Sequence, residues 1–349
     1  METTLLEEPI NQTSRKVSQL LEFMQDKHNL LIVLQDNPDP DAIASATALR
    51  CLCKERNHIS STITYGGIIG RSENRSLLRY LDVTMYPWDW IDLAEFDAIA
   101  LVDTQPGFGN NVLPADHLPD IVIDHHPEQA VCQEVPFIDI REDYGAAATI
   151  LWEYLSDANL TPNMLLATAM IYAIRSDTQD LGLGASFADL KADEELYPLA
   201  DKLILSKILH GRLPRNYFQI ISQALQTARM YQDCLIAALG DVPHPDIIGE
   251  LADLFLREDE LEWVICYGRY QGKIWISLRT LIPQNHSDQV MRKIVEDMGS
   301  GGGHLTRAGG QIPLYSHSDS EYQERERNIQ QRFLSILGRE INCEESLIQ

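Results

Sequence analysis

Hydrophobic residues follow two rhythms along the chain. Segments 29–34 (NLLIVL), 60–65 (SSTITY), 98–102 (AIALV) and 120–123 (DIVI) are short, apolar or β-branched runs, the pattern of strands buried on both faces. Between the first two, 42–55 repeats small and apolar residues at spacings of three and four, which predicts a helix. Strands alternating with helices imply a mainly parallel sheet flanked by helices, with ligands gathered at the carboxyl ends of the strands. From 186 to 229 the pattern is helical and charged with no strand-like run. Beyond it, 234–239, 262–267, 273–278 and 310–314 read as strands, and 246–256 and 287–298 as helices. The expected architecture is therefore α/β throughout: a catalytic domain over 1–187, a helical linker over 188–232, a smaller α/β domain over 233–320, and a tail over 321–349 that opens with a charged helix. The active site is expected in the cleft between the two domains.

Composition bounds the possibilities further. The 349 residues suffice for two domains at roughly 150 residues each. With 52 acidic and 28 basic side chains the net charge is −24, which excludes a broad basic surface for nucleic acid. Any polyanion must be met by a local basic cluster or by metal cations. Residues 1–9 are acidic without an apolar core, and no apolar run approaches the ~18 residues of a membrane span, so a cytoplasmic protein without a membrane partner is expected. Cys51, Cys53, Cys132, Cys234, Cys266 and Cys343 form no C-x-x-C pair and read as free thiols, mostly buried.

The chemistry lies in where the acids fall. The first strand runs into Gln35, Asp36, Asn37, Pro38, Asp39, Pro40 and Asp41 and then directly into a helix; taken alone, this is equally a turn with a helix cap. The third strand ends in Asp103, the fourth in Asp124, His125 and His126, and the apolar helix-like segment 165–175 in Ser176 and Asp177. Four elements thus deliver acids, and one delivers two histidines, where a parallel sheet presents its ligand. Carboxylates with a minority of imidazoles suit Mn²⁺ or a related divalent ion. Converging acids would repel one another without cations, and two ions sharing a bridging carboxylate suit phosphoryl hydrolysis. In the second half, Gly301, Gly302 and Gly303 allow backbone N–H groups to approach a phosphate, next to His304; the plainer reading is a turn before the last strand. Arg279 and Arg307 are candidates to hold a second phosphate. Tyr144 to Thr149 (YGAAAT) reads mainly as structure.

The segments NPDPDAIAS (37–45), VDTQPG (102–107), IDHHP (123–127), RSDT (175–178) and GSGGGH (299–304), in this order, resemble the DHH phosphoesterase superfamily in its branch with a DHHA1 domain. The resemblance implies one metal held by Asp39 and Asp103, with Gln35 standing where the family has a histidine, and a second held by Asp41, Asp103, His125 and Asp177. It implies that His126 faces the scissile phosphate and that Asp124 orients an imidazole. Two Mn²⁺, or Mg²⁺ or Co²⁺, would activate water, and Gln35 would weaken the first position. The implied function is end-trimming of short oligoribonucleotides or removal of the 3′-phosphate of 3′-phosphoadenosine 5′-phosphate. A cyclic or linear dinucleotide phosphodiesterase is the alternative within the class, and a non-catalytic nucleotide sensor the alternative outside it. Expected partners are a short single-stranded substrate, no duplex, and a second copy in a homodimer.

Overall fold

Apolar runs form the central strands because only a position covered on both sides accommodates them. The computed structural model describes residues 7–70, 72–182, 184–303, 305–316, 318–340 and 344–348, in two compact units that divide after Gly211. The first contains α1 (Glu7–Phe23), β1 (Asn29–Val33), α2 (Pro40–Asn57), β2 (Ser60–Tyr65), α3 (Ser72–Leu81), β3 (Tyr86–Pro87), β4 (Ala98–Val102), β5 (Ile121–Asp124), β6 (Phe137–Ile140), α4 (Ala147–Asp157), α5 (Met164–Asp177), α6 (Phe187–Leu196) and α7 (Lys202–Leu209). Its strands are parallel in the order β3-β2-β1-β4-β5-β6. The winding direction reverses between β1 and β4, so the ends of β1, β4 and β5 lie side by side at a switch point, where open α/β sheets leave a crevice.

Alternation along each strand separates two cores. Leu30 and Ile32 join the buried residues of the helices, while Leu31, Val33, Leu101 and Val122 pack on the other face against Trp88, Ile91, Phe96, Cys132 and Val135. Helix α2 is buried continuously from Pro40 to Leu49 and packs on α4 and α5. This enclosure explains its run of alanines, since larger side chains would hold the neighbouring helices apart.

The segment read as a linker is shared between the units. Helix α6 and the amphipathic α7 send Ala192, Leu196, Leu205 and Ile208 into the first core. The second unit begins with α8 (Arg215–Thr227), which buries Tyr217 and Ala224 in its own core. It continues with β7 (Arg229–Tyr231), β8 (Cys234–Asp241), α9 (Asp246–Phe255), β9 (Trp263–Tyr270), β10 (Lys273–Thr280), α10 (Ser287–Val295), β11 (Ser300–Gly303), β12 (Arg307–Pro313), α11 (Asp319–Leu337) and β13 (Glu344–Ser346). The sheet order is β11-β12-β10-β9-β8-β7-β13, with β8 and β9 parallel and the other pairs antiparallel. Helices α8 and α9 cover one face, and α10 and α11 the other. The charged tail helix, α11, contributes Tyr322, Ile329, Phe333 and Leu334 to this second core.

The glycine segment is an edge strand rather than a loose turn. Gly301 pairs with Gly310 and Gly302 with Gly309. A Cβ on Gly301 would come within 2.8 Å of Met291 Cγ in α10, whereas one on Gly302 would meet nothing within 4 Å. One side of the strand needs glycine for packing, and the other is a backbone surface clear of side chains. Among the described residues no helix is long and apolar enough to cross a membrane. Cys51, Cys53, Cys132, Cys234 and Cys266 are free, with Cys51 only half-buried; Cys343 lies outside the described residues.

Candidate metal centre

The segments that follow β1, β4 and β5 and the end of α5 bring side chains to the same place. After β1, Asp39 caps α2, its Oδ1 accepting from Ala42 N at 3.0 Å. Pro40 opens the helix and Asp41 follows, fully buried. Asp103 follows β4 in a left-handed conformation (φ 58°) and is 1% exposed. Asp124 ends β5 and is fully buried, with His125 and His126 next to it. Asp177 is the last residue of α5.

His125 Nε2 lies 3.5 Å from Asp103 Oδ1, 3.7 Å from Asp177 Oδ2 and 3.9 Å from Asp41 Oδ2. Its Nδ1 is 3.1 Å from Tyr144 O. A carbonyl can only accept, so Nδ1 carries the proton, and Nε2 faces three carboxylates; in the neutral ring it would present them a lone pair. Asp103 Oδ1 and His125 Nε2 are both buried without a hydrogen-bond partner. Lone pairs facing one another in this way call for a cation or a proton between them. His126 Nδ1 lies 2.9 Å from Asp124 Oδ1 and 3.7 Å from Asp103 Oδ1.

The electrostatics agree. Burial pushes the Asp41 carboxyl up to about 6, with Asp39 adding to the rise and His125 opposing it. Burial and then neighbouring carboxylates raise Asp103 and Asp177 well above the usual range. Burial works against charge on His125, but Asp41, Asp177 and Asp124 outweigh it and raise its pKa. Burial would raise Asp124 too, yet the hydrogen bond from His126, both imidazoles and Gln105 hold it below the ordinary value. The cluster is thus short of positive charge, and its oxygen and imidazole donors suit a divalent ion.

Gln35 is placed beside this cluster with its amide nitrogen inward. Nε2 donates to Asp39 Oδ2 at 2.8 Å and Asp103 Oδ2 at 3.2 Å, while Oε1 accepts from Asn110 Nδ2 at 3.5 Å. In this arrangement it offers a donor, not a ligand oxygen. Sequence reasoning missed Gln105, which is fully buried. Its Nε2 donates to Asp124 Oδ2 at 2.6 Å and to His126 O at 3.2 Å, and its Oε1 accepts from Gln129 N at 2.8 Å. A buried amide in this place steers Asp124, and so His126; its position two residues after Asp103 was the available signal.

Arg175 pairs with Asp193 through Nε at 2.7 Å and Nη2 at 3.0 Å. In the second unit Arg279 is 7% exposed and donates to Asp253 Oδ1 at 2.6 Å and Ser277 Oγ at 2.7 Å. Arg307 lies 4.0 Å from the same Asp253 oxygen and opposite Arg279 in the sheet register. Gly301, Gly302 and Gly303 lie in β11, next to the β12–β10 pair that carries both arginines. His304 lies outside the described residues.

A parallel sheet with carboxylates and imidazoles at its switch point, followed by a mixed-sheet unit with a glycine edge strand, defines a two-unit α/β protein with a candidate metal centre. Residues 29–174 match the DHH family, N-terminal domain, and residues 232–337 match the DHHA1 domain; the chain belongs to the DHH family of phosphoesterases, in the branch that carries DHHA1. It is 32% identical over 322 residues to the uncharacterised protein MJ1633 of Methanocaldococcus jannaschii, covering 90% of this chain and 65% of that one. It is 24% identical over 343 residues to the cyclic-di-AMP phosphodiesterase GdpP of Bacillus subtilis, covering 91% of this chain and 50% of that one. The chain therefore spans about two thirds of the first relative's length and half of the second's. Among solved structures, an exopolyphosphatase-related protein from Bacteroides fragilis superposes with a TM-score of 0.70 at 14% identity, over 93% of this chain and 98% of that one. RecJ of Thermus thermophilus in complex with Mn²⁺ superposes with a TM-score of 0.52 at 15% identity, over 93% of this chain and 55% of that one. At these identities the likeness is one of fold.

Proposed function

We propose that this chain hydrolyses phosphate esters of short nucleotides with divalent metal. The observation that carries the reading is the pair of partnerless buried atoms, Asp103 Oδ1 and His125 Nε2, 3.5 Å apart among Asp41 and Asp177. Asp41, Asp103, His125 and Asp177 would hold one ion, and Asp39 and Asp103 a second. When bound, such ions lower the pKa of water and offset charge on the leaving oxygen. Asp124 fixes the His126 ring through Nδ1, so that chemistry at this histidine falls to Nε2 at the scissile phosphate. Gly301, Gly302, Gly303, Arg279 and Arg307 are assigned to the remainder of the nucleotide. The open backbone face at Gly302 supports this assignment, and the pairing with Asp253 means that Arg279 must exchange or share that partner to reach a phosphate.

A local grip on a protein of charge −24 favours substrates of a few nucleotides, with oligoribonucleotides and 3′-phosphoadenosine 5′-phosphate first. The match to GdpP over 91% of this chain favours a second reading, a dinucleotide phosphodiesterase. A Mn²⁺ panel of 3′-phosphoadenosine 5′-phosphate, a 5′-phosphorylated dinucleotide, a cyclic dinucleotide and pyrophosphate separates these. Turnover of at least one nucleotide and none of pyrophosphate is expected. Nucleotide binding without hydrolysis in Mn²⁺, Mg²⁺ or Co²⁺ would leave a sensor instead of an enzyme.

Gln35 makes a second expectation. To a cation at Asp39 and Asp103 Gln35 could offer an amide oxygen once its side chain flips, so Gln35→His should tighten Mn²⁺ at this position by about tenfold, imidazole being the better ligand. Calorimetric Mn²⁺ titration of both proteins reads this directly; equal affinities at both positions would remove Gln35 from the metal site.

A further inference from the structure

The turn after β6 holds two of the proposed ligands at once, and a buried carboxylate outside the centre holds the turn. Tyr144 O accepts from His125 Nδ1 at 3.1 Å. Ala147 N and Ala148 N, at the start of α4, donate to Asp41 Oδ2 at 2.6 Å and Oδ1 at 2.8 Å. Between these contacts lies Gly145, whose N–H donates to Asp189 Oδ2 at 2.8 Å. Asp189 is fully buried in the first turn of α6. The same oxygen accepts from Ser186 N and Ser186 Oγ, both at 2.7 Å, and Oδ1 accepts from Thr149 Oγ1.

We propose that Asp189 is a positioning residue of the metal centre, fixing the 144–149 turn and through it the His125 ring and the Asp41 carboxylate. The inference rests on the metal reading of this site. A helix cap needs only the exchange between Ser186 and Asp189, which is local. The bonds to Gly145 and Thr149 reach across 44 and 40 residues to another helix, and capping does not require them. Four donors converge on two oxygens, which uses the acceptor capacity of a carboxylate and of few other side chains. The fit is tight: a Cβ on Gly145 would come within 2.8 Å of Asp189 Oδ2 and 2.4 Å of Thr178 Cγ2, next to Asp177. An oriented imidazole and a fixed carboxylate cost less to bring onto a cation than mobile ones.

The test is a Mn²⁺ titration of the chain 1–349, followed by electron paramagnetic resonance of the free ion, with thermal melts in parallel. Asp189→Ala should weaken Mn²⁺ binding about 10- to 100-fold, the range for partners that orient metal ligands. Asp189→Asn should recover most of it, because its carbonyl oxygen can keep the Gly145 and Ser186 N–H groups while its amide donates to Thr149 Oγ1. Ser186→Ala removes the capping hydroxyl and spares the Gly145 contact, so it should lower the melting temperature and keep wild-type affinity. If Asp189→Ala melts lower but binds Mn²⁺ as wild type does, the residue is a cap and the proposal is overturned. Should that variant fail to fold, Thr149→Val against Asp189→Asn makes the same comparison, with weakened binding expected in the first and wild-type binding in both overturning the role. Asp103→Ala is the reference: if it too binds Mn²⁺ normally, the metal reading itself falls and takes this role with it.

Discussion

Asp103→Asn is expected to cut metal-dependent turnover at least about a thousandfold, beyond the 10- to 100-fold typical of a residue that only orients a ligand. Asp103 occupies the centre of the cluster. Its Oδ1 is 3.5 Å from His125 Nε2 and 3.7 Å from His126 Nδ1, and its Oδ2 accepts from Gln35, so it adjoins both proposed ion positions. The substitution is chosen to spare the fold. The residue sits at φ 58°, where asparagine is among the few side chains accepted readily, and the amide matches the carboxyl in volume. It also removes a charge that Asp39, Asp41 and Asp124 oppose, so the metal-free variant should melt no lower than wild type. Wild type should gain thermal stability on adding Mn²⁺, because the ion binds the folded state, and the variant should not. Rates with Mn²⁺ and melts with and without it check both halves. Turnover within tenfold of wild type would show that Asp103 does not bridge the chemistry.

Part of this cluster was legible in the sequence because Asp103, Asp124 and Asp177 fall at the ends of apolar elements, and Asp39 and Asp41 where a strand gives way to a helix. The runs before Asp103 and Asp124 are apolar throughout, so their strands, their parallel arrangement and the side on which they end could be read together. What sequence could not show are contacts made between elements. Gln105 and Asp189 are polar residues in a strand-end turn and in a segment that read as a linker, and their roles depend on which distant groups fold against them. The linker reading overlooked that KLILSKIL, over 202–209, has an apolar face that needs a core to cover it. The opening helix α1 was missed because acidic residues at 7 and 8 hide an amphipathic pattern further on. The pairing of Arg279 with Asp253, 26 residues earlier, was equally hidden, because only the packing of α9 on the sheet brings the two together.

Arg141→Met should cost the folded protein about 3–5 kcal/mol, the penalty for removing one member of a buried ion pair. Asp139, in β6, is 2% exposed and Arg141 6%. Arg141 donates to Asp139 through Nη2 at 2.7 Å and Nε at 3.1 Å, and through Nη1 to Glu153 Oε2 at 2.6 Å and Tyr144 Oη at 3.1 Å. Tyr154 Oη donates to Asp139 at 2.7 Å, and Thr13 Oγ1 joins α1 to Glu153 at 2.6 Å. Methionine matches the stem of arginine but leaves Asp139 buried with Tyr154 as its side-chain donor, a charge without its counter-ion. The double variant Asp139→Leu, Arg141→Met removes both charges and should be less destabilised than the single, since the cost lies in the stranded carboxylate more than in the lost attraction. Urea unfolding of wild type, both singles and the double gives the coupling energy; a single Arg141→Met within about 1 kcal/mol of wild type would mean water reaches Asp139 and the pair is not buried. The same network grips the Tyr144 hydroxyl, while the Tyr144 carbonyl holds His125. Folded Arg141→Met and the double variant should therefore both bind Mn²⁺ more weakly than wild type, because the loss of Nη1 loosens Tyr144 in each.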